Sequence, residues 1–368
     1  MKKFAVLFAA VFTICVSLNA IDFGGLVSRN SESTKVNNDS FNLAQTTDAV
    51  FNIRVPFADN GRSYFAAETM YRNESFQGKI NNYIDLPLFK VNFLLDEFAE
   101  NLNVSLGRYY LRDLTGDIFS QSTDGVSFIY KSDIFASSVY AGYTGLINGK
   151  ITDMVGSSEY EINGCDLYSL SLPYVVISSG VELPYLYMNQ TLGLDFWGFI
   201  GTGILDSTKF YTTLDIRGPV SSSVFHTTSA TVLFDNSNDA TVAGFLGSFN
   251  LDWFLPYMNS VVSAKIKYAS NNFTPVTESN FLINGSYLNN LFATGLEASF
   301  KPKSELYVLG DVLAVFKSNN FDYYGTQLSG KLILQVLSDV QLSAFATWFH
   351  SNIDVSVTNF TLKAVISF

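Results

Sequence analysis

The side chains able to do covalent or metal chemistry are few in this chain and far apart. His226 and His350 stand alone in their segments, and Cys165 is the one cysteine left once the leader holding Cys15 is set aside. No disulfide framework can form within such a chain, and a thiolate–imidazole metal site lacks ligands. His226 has Ser223 and Ser229 nearby, and His350 lies near Asp354, a weak hint of a metal or a dyad. The stretch from Gly145 to Lys150 falls one residue short of a phosphate loop, with Ile151 where Ser or Thr would stand. Asp235-Asn236-Ser237-Asn238-Asp239 opens like a calcium loop, but Ala240 and Leu246 occupy its sixth and twelfth positions. A turn is expected there. No catalytic residue, metal or cofactor is read from the chain.

What remains is the chemistry of ionised side chains, and here the spacing informs. Asp195 opposes a stripe of Leu192, Leu194, Phe196 and Ile200, while Asp215 and Arg217 oppose Phe210, Thr212, Leu214 and Ile216. Lys265 and Lys267 oppose Val262, Ala264, Ile266 and Tyr268, and Glu297 opposes Phe292, Leu296, Ala298 and Phe300. Asp311 opposes Val308, Val312 and Ala314; Arg54 opposes Phe51, Ile53 and Val55. Lys90 opposes Val91, Phe93 and Leu95, and Lys331 opposes Leu328, Leu332 and Leu334. Arg108 joins the charged set if a bulge follows Leu106. A strand sends successive side chains to opposite faces, so each charge is separated from its apolar stripe. Charges ringed around water set a field that selects ions. Taken singly, each is better read as a merely solvated lumen residue.

The elements that must hold these charges follow from composition. Mean hydropathy is +0.19 and aromatic content 15%, yet no run of about eighteen apolar residues exists past the leader. Backbone in lipid must satisfy its own hydrogen bonds, so only helices or a closed barrel can cross. Helices are excluded by the missing runs. A Lys or Arg facing lipid at the midplane costs roughly 2–4 kcal/mol, which turns the charged parity inward. Without Lys2 and Lys3, 20 basic residues face 33 acidic ones, a net −13. Nucleic acid is therefore excluded as a partner.

The two ends of the chain agree with a barrel. Phe360, Leu362, Ala364, Ile366 and Phe368 share one parity against Thr361, Lys363 and Ser367. This ending resembles the last strand of bacterial outer-membrane β-barrels, in which an aromatic C-terminus is read by the barrel-assembly machinery. The resemblance implies an assembly signal at Phe360, Leu362, Ile366 and Phe368. Lys2 and Lys3, the apolar run Phe4–Leu18 and Asn19-Ala20 read as a secretory leader, residues 1–20, cleaved after export. Residues 21–368 then form one closed antiparallel transmembrane β-barrel.

Counting two-faced segments gives about eighteen strands, from 21–28 to 354–368, and sixteen if one hairpin around 124–146 or 208–234 is lost. Long connections at 29–40, 111–123, 147–168 and 271–288 fall on one side and short turns on the other, the asymmetry of outer-membrane barrels. A barrel this wide encloses water. Porins often constrict the pore with one long early loop, so 147–168 is the candidate constriction, with Asp153, Glu159, Glu161 and Asp166 favouring cations; an exposed surface loop is the equal alternative. Gly107-Arg108-Tyr109-Tyr110-Leu111-Arg112-Asp113-Leu114-Thr115-Gly116, with Gln121 and Asp124-Gly125, resembles a segment of uncharacterised spirochaetal outer-membrane barrels. In it Asp113 with Gly116 makes a turn. The His-x-Ser spacing of the outer-membrane phospholipase is absent, and no enzyme is expected.

The function expected is a porin-like channel for passive diffusion of small hydrophilic solutes. Its partners are outer-membrane lipid, the assembly machinery, small solutes and a homo-oligomer. The alternatives are a transporter of hydrophobic compounds similar to the fatty-acid channels, or an adhesin or structural barrel acting through its loops.

Overall fold

The computed structural model describes residues 21–368 except 38, 59–61, 96–100, 145–173, 202–206, 238–239, 278–281, 283–287 and 354. Eighteen strands follow one another: β1 (Asp22–Val36), β2 (Asn42–Pro56), β3 (Tyr64–Phe76), β4 (Lys79–Leu94), β5 (Leu102–Arg112) and β6 (Ser120–Lys131). Then come β7 (Ala136–Tyr143), β8 (Tyr174–Tyr187), β9 (Gln190–Gly201), β10 (Ser207–Pro219), β11 (Val224–Ser237) and β12 (Ala240–Leu255). The last six are β13 (Ser260–Ala269), β14 (Leu291–Lys303), β15 (Leu306–Phe316), β16 (Tyr323–Leu337), β17 (Val340–Ser351) and β18 (Ser356–Ser367). Each pairs antiparallel with its sequence neighbours, and β1 also pairs with β18, so the sheet closes. The expected closed eighteen-stranded antiparallel barrel is the fold.

Alternation decides which side each residue meets. Leu194, Phe196, Leu214, Phe249, Ile266, Leu296, Val312, Leu328 and Leu362 are all more than a third exposed on the outer face. Their neighbours of opposite parity point inward. The C-terminal stripe follows the same rule, with Phe360, Leu362, Ile366 and Phe368 all exposed. Gly25 and Phe368 exchange backbone bonds of 2.9 and 3.0 Å, and the Phe368 ring lies where a Gly25 Cβ would be, 2.7 Å away. The seam therefore needs that glycine.

Several boundaries differ from the expectation, each for a physical reason. The loop expected at 29–40 is mostly strand: β1 runs to Val36 and stays paired with β2 through Thr34 and with β18 through Val36. Its Ser, Asn, Glu and Thr residues carry no apolar stripe, so periodicity alone could not reveal a wall. The gap left between 62–72 and 82–95 closes to a two-residue turn. Gln77 and Gly78 have φ of 49° and 78° there, the pair of left-handed residues that a tight hairpin turn requires. Pro87 sits within β4 beside a register shift between Glu68 and Met70 of β3, where the ladder does not need its missing N–H. The connection expected at 111–123 shrinks to 113–119.

Candidate functional site

The interior is shaped by a hairpin that leaves the wall. β4 pairs with β5 only over 89–94 and 103–108, and β6 pairs with β7 only over 124–131 and 136–143. The upper part of the β5–β6 hairpin, 109–112 with 120–123, pairs only with itself. Released on both sides, it bends into the lumen. Its tip is ordered by Asp113, only 3% exposed. Oδ2 accepts from the Thr115 N–H at 2.9 Å, the Thr115 hydroxyl at 2.5 Å and the Gly116 N–H at 3.0 Å. Oδ1 accepts from the Ile118 and Phe119 N–H groups at 3.1 and 2.9 Å. Gly116 has φ of +72° and lies under the Arg112 guanidinium, where a Cβ would collide. Burial nevertheless pushes the Asp113 carboxyl above its ordinary pKa, because desolvation outweighs even these donors.

Three moorings hold the tip. Toward β9, the Leu114 N–H donates to Asp195 Oδ2 at 3.2 Å, and Leu114 fills the space left by Gly193. Toward β13, Lys267 Nζ donates to both Asp117 oxygens at 2.7 and 2.8 Å. The third is the β13–β14 connection: Val276 and Thr277 N–H groups donate to the Ile118 carbonyl at 2.9 and 3.1 Å. That connection is held to β10 by the Tyr211 hydroxyl, 2.6 Å from the Thr274 carbonyl. Between the moorings lies an apolar core inside the barrel. Ile118, Phe119, Phe199, Tyr211 and Phe273 are fully buried, with Phe119 ring-to-ring at 5.3 Å from Trp197 and 5.1 Å from Phe199.

Of the charges singled out from sequence, Arg54, Lys90, Asp195, Asp215, Arg217, Lys265, Lys267, Glu297, Asp311 and Lys331 share the inward face by register. Most come in pairs. Lys265 meets Glu297 at 2.5 Å, and Arg217 meets Asp215 at 3.0 Å and also Glu182. Asp195 accepts the Trp197 indole N–H at 2.6 Å. Arg54 stacks on Tyr64 at 4.0 Å, and Lys90 lies 5.9 and 5.2 Å from the Tyr64 and Tyr109 rings, both cation–π contacts. Arg108 differs. The pairing of β5 shows no register shift at Leu106, so Arg108 shares the face of Leu106 and Tyr110 and binds Asp124 at 2.9 and 2.7 Å. It is a structural pair at the point where the hairpin departs.

Sequence reasoning missed Arg112, Asp117 and Glu182 as site residues, and read Asp113 only as part of a turn. Asp153, Glu159, Glu161 and Asp166, the acids of the candidate constriction, lie outside the described residues. Two cavities flank the tip. One, about 570 Å³, is lined by Lys90, Arg112, Lys131, Tyr109, Asp195 and Arg217, among others. The second, about 410 Å³, includes Arg112, Asp117, Asp215, Arg217, Lys265 and Lys267. Arg112, Leu114 and Arg217 border both. Among the described residues no cluster of potential metal ligands occurs.

No protein-family profile matches the chain, and no curated protein matches its sequence. Solved structures do match in shape. Pseudomonas aeruginosa OpdQ superposes with a TM-score of 0.67 at 8% identity, over 95% of this chain and 99% of that one. Pseudomonas aeruginosa OpdK, solved with vanillate, gives 0.66 at 8% identity, covering 94% and 98%. Acinetobacter baumannii OccAB4 gives 0.65 at 9%, covering 95% and 98%. At such identities the likeness is one of fold, and the fold it shows is the porin-type barrel of eighteen antiparallel strands.

Proposed function

We propose that this chain is an outer-membrane channel through which small hydrophilic solutes diffuse, in a lumen narrowed by the β5–β6 hairpin. One observation carries the reading: an apolar outer face encloses an interior whose two charged cavities border the same inward tip. Lipid outside and water inside satisfy both faces at once. Residues 1–20 act as a leader removed on export. The barrel-assembly machinery reads the exposed stripe ending at Phe368, and the spirochaetal likeness of 107–125 gives the lineage. Copies associate into a homo-oligomer, which cross-linking in detergent reads.

The larger cavity sharpens the solute class. Among the described residues, Lys90, Arg112 and Lys131 there have no carboxylate partner, whereas Asp113 and Asp195 are taken up by N–H donors and Glu182 by Arg217. The uncompensated sign is positive, so small anions are favoured over cations in that passage. An aromatic carboxylate such as the vanillate found with OpdK fits this chemistry. The apolar core weighs against a route for hydrophobic compounds, because its most deeply buried rings, Phe119, Phe199, Tyr211 and Phe273, pack against one another and border neither cavity.

Planar-bilayer recording of the refolded chain tests the proposal. Discrete conductance steps, a reversal potential favouring anions in a salt gradient, and faster liposome swelling in vanillate than in an equally sized cation support it. A silent protein that inserts into bilayers overturns it.

A further inference from the structure

We propose that Asp113 and Asp195 form a proton-sensing seat for the hairpin tip, so that the lumen narrows as the pH falls. The inference rests on the channel reading above and adds a regulator to it. The two carboxylates converge on consecutive residues: Asp113 gathers the donors of 115–119, and the next residue, Leu114, gives its N–H to Asp195. When both are ionised they repel across a dry seat, and one proton relieves that repulsion. Seating matters to the passage because Leu114, lodged against Gly193, stands between the two cavities. With the tip lifted, those cavities merge.

The other charged groups around the seat are already engaged. Within the hairpin, Arg112 donates to the Thr115 carbonyl and Asp117 is held by Lys267 of β13. From β10 come Tyr211, bonded to Thr274, and Asp215, bonded to Arg217; from β8 comes Glu182, bonded to the same Arg217. The segment 273–277 of the β13–β14 connection brings no titratable group. None of these offers Asp113 a counter-charge, which leaves burial to set its titration.

The sign follows from linkage. Asp113 has a raised pKa when seated and an ordinary one, about 3.9, when the tip lifts into water. The seated state therefore binds the proton more tightly, and acid favours it. The gain accrues as pH falls from the raised value to the ordinary one. Below that, both states are protonated and nothing more is gained.

Single-channel recording of the full refolded chain between about pH 4 and pH 8 reads the effect, expected as a fall of about two-fold or more in conductance or open probability on the acid side. Asp195→Asn removes the repulsion between the two carboxylates but leaves Asp113 buried, so the response is expected to weaken and move to lower pH. Asp113→Asn is expected to abolish the response. Where it disturbs folding, judged by heat-modifiability on gels, Gly193→Leu takes its place and is expected to give a high, pH-insensitive conductance. A wild-type channel that conducts but ignores pH, or an Asp195→Asn channel with the full response, overturns the seat while leaving the channel reading intact. A wild-type chain silent at every pH fails the channel reading instead.

Discussion

Strands β8–β15 and strands β16–β18 with β1–β4 obey the same alternation, yet enclose different interiors. On the first arc the inward residues of the upper half include Tyr174, Val176, Trp197, Phe199, Tyr211, Leu233, Leu246, Leu291 and Val315, all buried. On the second they include Glu32, Asp48, Arg72, Glu74, Asn359 and Lys331. There Asp48 meets Arg72 at 2.5 Å, Tyr83 donates to Glu74 at 2.5 Å, and Asn359 donates to Glu32. What separates the arcs is what stands in front of them. The hairpin tip and the β13–β14 connection lie against the first arc and convert its inward face from a water boundary into a core. The second has no such segment in front of it among the described residues and satisfies its charges laterally, strand to strand, around the buried Met70, Tyr83 and Phe349. An inward parity thus declares only that a residue avoids lipid. Whether it meets water or protein is decided by a segment far away in sequence.

The sharpest way to break this contrast is to remove the ring that joins the two segments. Phe119→Ala is expected to cost about 3–5 kcal/mol, the range for a large buried side chain whose site cannot collapse. Urea unfolding in detergent micelles measures it. Phe51→Ala on the outer wall, where the ring is 48% exposed to the surrounding medium, is the control and should cost much less. Equal losses would mean that the interior core contributes nothing beyond the wall itself.

Next in size is the tether to β13. Lys267→Met strands Asp117 without its cation, and hydrogen bonds to charged groups are worth roughly 1.5–3 kcal/mol. Both side chains are less than a fifth exposed, so solvent does little to soften the loss. The tip should loosen, and single-channel steps should grow larger and noisier. Unchanged steps would show that Leu114 and the apolar rings suffice to seat it.

How far the sequence reached is explained by the same contrast. The outer face was legible because lipid imposes one rule on every strand, and the register of all ten inward charges follows from it. The hairpin was not, since 109–112 and 120–123 alternate like any wall strand. Their bend follows from losing β4 and β7 as partners, a non-local event. Asp117 and Lys267 are separated by 150 positions, a pairing no local pattern encodes. Asp113 and Gly116 did signal a turn, but nothing in their spacing said that the turn faces inward. Arg108 misled because its inward placement required a bulge after Leu106, whereas the ladder passes through Gly107 without a slip.

A smaller effect separates charge from architecture on the open side. Lys90→Glu changes the lumen charge by two units, and at about 10 Å in water each unit is worth about 0.4 kcal/mol. Anion entry should therefore fall and cation entry rise by about four-fold each, so the permeability ratio read from reversal potentials should drop about sixteen-fold, with stability nearly unchanged because Lys90 has no ion pair among the described residues. A loss of folding instead would mean that its contacts with the Tyr64 and Tyr109 rings hold the wall together.

Lys331 provides the smallest and cleanest comparison. It is an exposed inward cation of β16 flanked across the ladder by Leu309 and Phe345, with no ion pair among the described residues. Lys331→Gln removes one unit of charge and breaks nothing, so its stability cost should stay within about 0.5 kcal/mol, as for ordinary surface changes. By the same Coulomb argument, anion and cation entry should each change about two-fold in opposite directions, so the permeability ratio should shift about four-fold. That shift depends on salt: it should be visible near 0.1 M, where screening reaches about 10 Å, and vanish near 1 M, where it reaches about 3 Å. The seated tip should behave oppositely, since Lys267 and Asp117 are in direct contact and largely shielded from the electrolyte. A Lys331 effect that persisted at high salt would place that side chain in a narrow passage of its own, and the arc from β16 to β4 would then be a second constriction instead of open water.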